Sequence, residues 1–294
     1  MRSCSEWPDR IGREILVRAQ RSSWHSRKIS SPGGRSDAAA KATLSPSARG
    51  FPGEAFEHLA ALEDRHFWFR SRNRLIVWAL ERHFPAARRL LEVGSGSGVV
   101  LEAIRARYPS LELVGVDQSS EAFQYARARV DARFLELDAQ ELTFEEEFDV
   151  VCAFDVLEHV DDDETVLRRL AAAARSGGGL LVTVPQYEWL WSEADDYGRH
   201  RRRYTKRVLE TKIEAAGFTL VRSTAWVFSL LPVLAASRFW DNRRRGGYDP
   251  RRELELSGPI NRILEAILDA ERLAIERGVT LPYGSSRLAI AQKP

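Results

Sequence analysis

The sequence predicts a doubly wound α/β fold, on three observations. Short segments that are almost wholly apolar alternate with amphipathic ones, the pattern of parallel strands covered by helices on both faces. A glycine cluster stands where the first apolar strand gives way to a helix, a position at which open α/β sheets bind ligands. The chain has 294 residues, a length at which about 75% of the unfolded surface can be buried.

Residues 1–50 precede this pattern. They carry ten Lys and Arg against four Asp and Glu, leaving 34 against 38 in the rest of the chain. Without a sustained apolar period they cannot offset ordering entropy by burial, so a disordered basic tail is expected there and a folded domain over 51–294. From Glu54, the residues Phe56, Leu59, Ala60 and Leu62 suggest a helix running toward His66-Phe67-Trp68-Phe69. A second helix through Leu75, Ile76, Trp78, Ala79 and Leu80 is stopped by Pro85.

The strands that follow are Arg89–Val93, Leu111–Val116, Arg133–Leu137, Phe148–Phe154 and Leu180–Val184, with helices near 99–107, 120–130 and 162–174. After Pro185 an insertion near 186–204, rich in Trp, Tyr, Asp and Arg, precedes a helix near 205–216 and a strand near 218–225. A helical insertion near 228–280 contains the basic run Arg243-Arg244-Arg245 and a helix opened by Pro259, with Ile260, Ile263, Leu264, Ile267 and Leu268 on one face. Arg287–Ala291 reads as the last strand.

Several classes are disfavoured. Cys4 and Cys152 are the only cysteines, too few for a disulfide framework or a zinc site. The mildly acidic body argues against a nucleic-acid partner. No apolar run approaches the ~20 residues that span a bilayer, and no apolar secretory segment opens the chain, so a cytoplasmic location is expected. The stretch Trp226–Trp240, aromatic at both ends and broken by Pro232, suits peripheral contact with a membrane surface or a cover over a lipid-linked acceptor better than a span, the alternative being packing on the protein's own sheet.

In Leu90-Leu91-Glu92-Val93-Gly94-Ser95-Gly96-Ser97-Gly98 a buried strand runs into a glycine loop. A dinucleotide loop would read G-x-G-x-x-G, but position 99 is Val, and no G-x-x-x-x-G-K-[ST] phosphate loop is present. The spacing favours a ligand without a pyrophosphate. Asp117 closes the second strand, where a carboxylate can hold a ribose diol, and Asp138 closes the third, where one can accept from an adenine amino group. Acids at strand ends also cap the helices that follow them.

The series Glu92-Val93-Gly94-Ser95-Gly96-Ser97-Gly98, Asp117, Asp138-Ala139 and Phe148-Asp149-Val150-Val151 resembles the successive motifs of class I S-adenosylmethionine-dependent methyltransferases. The resemblance covers roughly residues 54–227. It implies a Rossmann-like, seven-stranded, mostly parallel sheet with an antiparallel last strand, and S-adenosylmethionine as cofactor. It implies that Gly94, Gly96 and the loop backbone line the methionine part, that Asp117 holds the ribose, and that Asp138 and the Ala139 backbone meet the adenine. Glu92, Ser95, Gly98, Gln118 and Phe154 complete the cofactor-binding candidates.

Asp155-Val156-Leu157-Glu158-His159-Val160 and Gly198-Arg199-His200-Arg201-Arg202-Arg203-Tyr204 resemble the branch that contains ubiquinone-pathway O-methyltransferases. A small-molecule acceptor, methylated on a hydroxyl oxygen, is the expected substrate, with RNA and lipid-linked acceptors as alternatives. Transfer requires the acceptor behind the methyl group and removal of a proton. His159 is the first candidate base, with Glu158 and His200 beside it; His66 reads as a packing residue. Trp189, Trp191 and Tyr197 are either an aromatic wall for a planar acceptor or anchors of the insertion. Arg199, Arg201, Arg202 and Arg203 face either an anionic acceptor or solvent.

Asp155, Glu158 and His159, at offsets of three and four, would share one side of a first helical turn, with His200 approaching from the insertion. Mixed oxygen and nitrogen donors leave open a divalent metal, and the run resembles the metal site of small-RNA 2′-O-methyltransferases with Asp in place of the first acid. No metal ligand is assigned. Rival functions are a non-catalytic nucleoside- or partner-binding protein on the same fold and a nicotinamide-dependent dehydrogenase.

Overall fold

The computed structural model describes residues 60–241 and 256–294. The expected tail at 1–50, the start of the first helix at Glu54 and the Arg243-Arg244-Arg245 run lie outside the described residues. In chain order the elements are α1 (Phe67–His83), β1 (Arg89–Val93), α2 (Val99–Arg107), β2 (Glu112–Asp117), α3 (Ser120–Arg129), β3 (Arg133–Glu136), β4 (Phe148–Phe154), α4 (Asp163–Ala173), β5 (Ala174–Pro185), α5 (Glu193–Tyr197), α6 (Lys206–Ala215), β6 (Thr219–Trp226), α7 (Leu231–Asp241), α8 (Gly258–Glu276) and β7 (Ser286–Gln292).

The strands form one seven-stranded sheet in the order β3-β2-β1-β4-β5-β7-β6. The pairs from β3 to β5 are parallel, while β7 runs antiparallel to both β5 and β6, as the resemblance implied. Successive residues of the central strands point to opposite faces. Leu91, Val93, Val151 and Ala153 pack in the cluster that contains α4 and α6 residues such as Leu170 and Ile213. Leu90, Val150 and Cys152 pack with Leu75, Leu101 and Leu268 of α1, α2 and α8. Both faces are covered, which is why these strands read as continuous apolar runs. The chain leaves β1 toward β2 on one side and β4 lies on the other, so the switch point of the sheet opens between the ends of β1 and β4.

Three boundaries differ from expectation. The aromatic patch starts α1 and does not end the helix before it: His66 is extended, and its ring accepts the Trp68 N–H as an N-cap. β5 begins at Ala174 because its glycines pair with the chain's end, Gly177 N–H donating to Lys293 O and Lys293 N–H to Gly178 O. Trp226 closes β6, is only 1% exposed and lies 5.7 Å from the Trp68 ring, so Trp226–Trp240 is not one surface element. Among the described residues no helix is long and apolar enough to cross a membrane.

Candidate active site

A cavity of about 1050 Å³ opens at this switch point. Its first arm begins at the turn after β1. Gly94 has φ +65°, and a Cβ there would lie 2.2 Å from Val156 Cγ2; backbone conformation and space both demand glycine. The Asp117 carboxylate accepts from Gly96 N–H at 2.9 Å and Ser119 N–H at 2.9 Å, tying the glycine loop to the end of β2. Burial pushes the Asp117 pKa up against those hydrogen bonds. Asp138 caps the turn after β3, accepting from Gln140 N–H at 2.8 Å. Both acids therefore cap the backbone and also line the cavity, and a carboxylate keeps acceptor sites beyond two such bonds.

Behind the loop lies a buried polar group. Glu92 is held well above the usual carboxylate range, first by burial and then by Asp117 and Glu63, with Arg72 opposing. Arg72 reaches in from α1, its guanidinium 4.8 Å from the Trp68 ring centroid, and donates to Asp155 at 2.7 Å. Glu63 accepts the Ser97 hydroxyl. Glu92 Oε2, Ser95 Oγ and Arg72 Nε have no hydrogen-bond partner among the described residues.

The second arm passes the turn after β4. This turn is not helical, since α4 starts only at Asp163, and Asp155 takes φ +55°. Asp155 bonds to Arg72, and the non-helical backbone overturns the shared helical turn. Glu158, His159 and His200 instead place three donor atoms within 4.8 Å of one another. The His159 and His200 rings stand edge to face at 4.7 Å.

His200 Nδ1 lies 2.8 Å from Asp195 Oδ1. Asp195 is 1% exposed and takes two further bonds from Arg203, at 2.8 and 3.0 Å. Burial would raise its pKa, but the bonds from His200 and Arg203 hold it far below the usual range. An ionised acceptor on Nδ1 fixes the proton there and leaves Nε2 with the lone pair. His159 is pushed down to about 3, chiefly by burial and then by His200; its ring bonds to the Gly198 backbone, and Nδ1 has no partner. Burial and the charge of Asp155 raise Glu158 well above its ordinary value, and its Oε2 also lacks a partner.

All the cofactor-binding and catalytic candidates line this one cavity except Gly98. Gly98 heads α2 with φ +78°, and a Cβ there would sit 3.1 Å from Ala126, so it serves the packing of α2 on α3. Of the aromatic candidates, Tyr197 alone lines the cavity. Trp189 is 60% exposed and stacks on Tyr187, while Trp191 donates to Asp196. The arginine run is committed to ion pairs at three positions, with Arg201 still solvent-exposed. Arg201 pairs with Asp161, Arg202 with Asp163 and Arg203 with Asp195. Arg201 also donates through its backbone to Glu158 O at 2.7 Å and through Nε to His159 O at 3.0 Å, and Arg202 reaches Val160 O and Asp161 O. These bonds fasten one histidine-bearing loop to the other. Sequence reasoning missed Glu63, Arg72 and Asp195, whose partners lie 83 positions away in the case of Arg72 and Asp155.

A family model described as a methyltransferase domain matches residues 58–223. The chain belongs to this methyltransferase family. The ubiquinone biosynthesis O-methyltransferase of Stutzerimonas stutzeri is 31% identical over 94 residues, 30% of this chain and 40% of that protein. The match thus spans less than half of the relative. Phosphoethanolamine N-methyltransferase 2 of Haemonchus contortus, solved with S-adenosylmethionine, superposes with a TM-score of 0.51 at 21% identity, over 76% of this chain and 52% of that chain. A SAM-dependent methyltransferase of Thermotoga maritima gives 0.51 at 16% identity, over 82% and 95%. At these identities the two structures show a common fold.

The first arm fits S-adenosylmethionine. Glu92 and Glu63 are acids placed for an ammonium, Arg72 is a buried donor placed for a carboxylate, and the unpartnered buried atoms among them suit a polar ligand.

Proposed function

We propose that the protein transfers the methyl group of S-adenosylmethionine to a hydroxyl oxygen of a small-molecule acceptor. The observation that carries this reading is the convergence of Glu158, His159 and His200 on the cavity that also holds the cofactor cradle. The bound cofactor supplies an electrophilic methyl carbon, so that an O–C bond forms as the S–C bond breaks and S-adenosylhomocysteine leaves. The glycine loop, Asp117 and Asp138 hold the cofactor. The turn after β4 and the 195–204 loop hold the acceptor oxygen. His200 takes the hydroxyl proton at Nε2, and Asp195 stabilises the resulting imidazolium as well as orienting the ring. The sequence placed His159 first as base, but a ring held at about 3 by burial is too weak a base to serve near neutral pH; it binds the acceptor in neutral form.

One observation favours a second reading. Glu158 Oε2 and His159 Nδ1 are buried without partners among the described residues, and His200 is oriented by a carboxylate in the manner of metal-ligating histidines. This donor set fits a divalent cation of the Mn²⁺, Zn²⁺ or Fe²⁺ type. Glu158, His159 and His200 would hold it, and it would supply a lowered hydroxyl pKa. Labelled methyl transfer to phenolic, glycosyl, lipid-linked and RNA acceptors, with the product position read by mass spectrometry, tests both readings. We expect label on oxygen that persists in EDTA. Label confined to nitrogen or carbon defeats the hydroxyl reading, and activity lost in EDTA and restored by Mn²⁺ selects the cation.

A further inference from the structure

Beyond the turn after β4 the cavity wall follows the ends of β5, β7 and β6. Ser286 of β7 pairs with Pro185 of β5 on one side and with Trp226 of β6 on the other. Pro185, Ser286 and Val227, the residue after Trp226, all line the cavity. From Val227 the chain turns off the sheet into α7, which adds Val233 and Leu234, with Leu230 just ahead of it, to the same wall.

The backbone of this turn is strained. Five described non-glycine residues have a positive φ, and Val227, at +61°, is the one with a β-branched side chain, the type that tolerates this region least. Such a residue persists only where its surroundings over-determine it. Upstream, Ala225 N–H donates to Leu281 O and Leu281 N–H to the Thr224 hydroxyl. Gly284 passes so near that a Cβ on it would lie 2.1 Å from Trp226 O. Downstream, the buried Glu271 reaches across from α8. One of its carboxylate oxygens accepts from Phe228 N–H at 3.1 Å and the other from Ser229 N–H at 2.8 Å. Val227 is the joint between these two anchors. Glu271 does not itself line the cavity, so it acts on the cavity through the turn.

We infer that Glu271 is a positioning residue for the methyl acceptor: its carboxylate latches the strained turn and so keeps Val227 and Leu230 in the wall against which the acceptor lies. The inference rests on the reading above for the acceptor's place in this arm. Without the carboxylate, two N–H groups lose their acceptor and nothing opposes the strain at Val227. The turn then relaxes to negative φ and carries α7, with its cavity residues, off the wall. Glycine at position 227 holds φ +61° without strain, so the turn can then keep its shape unlatched.

Hydrogen exchange over residues 231–238, followed by mass spectrometry, reads the turn without an acceptor. Leu231 N–H and Leu234 N–H donate to Phe228 O and Leu230 O, not to Glu271. Glu271→Ala should speed exchange there by about five- to a hundredfold, the equivalent of one strained residue released. KM for 4-methylphenol as probe acceptor should rise in the same variant, with kcat and S-adenosylhomocysteine affinity little changed. Adding Val227→Gly should return exchange toward the parent rate, a rescue that a merely packing Glu271 would not show. Glu271→Gln keeps one oxygen acceptor and should fall between; it supplies the same readings if Glu271→Ala does not fold. Unchanged exchange, failure of Val227→Gly to restore it, or KM unmoved while exchange rises overturns the proposal. So does loss of S-adenosylhomocysteine affinity in both Glu271 variants, since the carboxylate would then hold the fold as a whole. A parent enzyme that leaves 4-methylphenol unmethylated counts against the hydroxyl reading, while exchange and its rescue still decide the latch.

Discussion

The two arms of the cavity are assembled by different means. The cofactor arm takes its pieces from the ends of β1, β2 and β3, neighbours in the sheet, and Asp117 ties two of them together by accepting from Gly96 N–H, 21 positions away, and from Ser119 N–H, two away. The acceptor arm joins the turn after β4 to a loop some forty positions later, through Arg201 and Arg202 bonded to the carbonyls of His159, Val160 and Asp161. A ligand cradle made of strand ends is inherited from the fold. A cradle made of two loops depends on a few side chains, and there substitution can change chemistry without disturbing the sheet.

If the arms are separate in function as in construction, damage to one should spare the other. The largest effect is expected for His200→Ala, which should lower kcat by about 10²–10⁴-fold while leaving S-adenosylhomocysteine affinity unchanged by calorimetry. A parallel loss of cofactor affinity would break the comparison. Asp117→Ala should do the reverse. Cofactor affinity should fall by about 1.5–3 kcal/mol, the worth of hydrogen bonds to a charged group, with kcat at saturating cofactor within a few-fold of the parent. An Asp117 variant that loses kcat as His200→Ala does would mean that the glycine loop also positions the acceptor.

The same difference governs what could be read from the sequence. Strand limits at β1 and β4, the α2 helix and the antiparallel β7 follow from apolar periodicity, glycine placement and family resemblance, all of them local signals. Glu158, His159 and His200 were nominated by type and position. Their geometry was not legible, because it depends on Asp155 turning toward Arg72 and on arginines that read in one dimension as a solvated charge run. Gly98 lies outside the cavity lining for a related reason: its φ and its neighbour Ala126 belong to helix packing, which the motif pattern does not distinguish from ligand contact. Asp195 carried no signal beyond being one acid among four in Glu193–Asp196 and Glu188.

The smallest effect sharpens the comparison from the cofactor side. Glu92 is buried, its Oε2 lacks a partner, and burial holds its pKa well above the ordinary value of 4.5, despite Arg72. A folded-state pKa raised in this way means that the folded protein keeps a proton the unfolded chain gives up near pH 4.5. The stability Glu92 contributes is therefore complete below that pH and lost as pH rises toward the folded-state value, with a slope of at most ~1.4 kcal/mol per pH unit for one group. Without cofactor, the midpoint of thermal unfolding should fall as pH is raised from 5 to 8, and Glu92→Gln, which keeps a neutral side chain throughout, should flatten the fall. Glu63 and Glu158 are raised mainly by burial too, and the depressed His159 works in the opposite sense, so the test is the difference between the parent's slope and that of Glu92→Gln. S-adenosylhomocysteine carries an ammonium into the arm where Glu92 and Glu63 lie, which favours their ionised forms; it should flatten the parent's profile more than that of Glu92→Gln. A slope identical in parent and variant, with and without the ligand, would show that Glu92 does not titrate in this range, and would move the ammonium contact to Glu63.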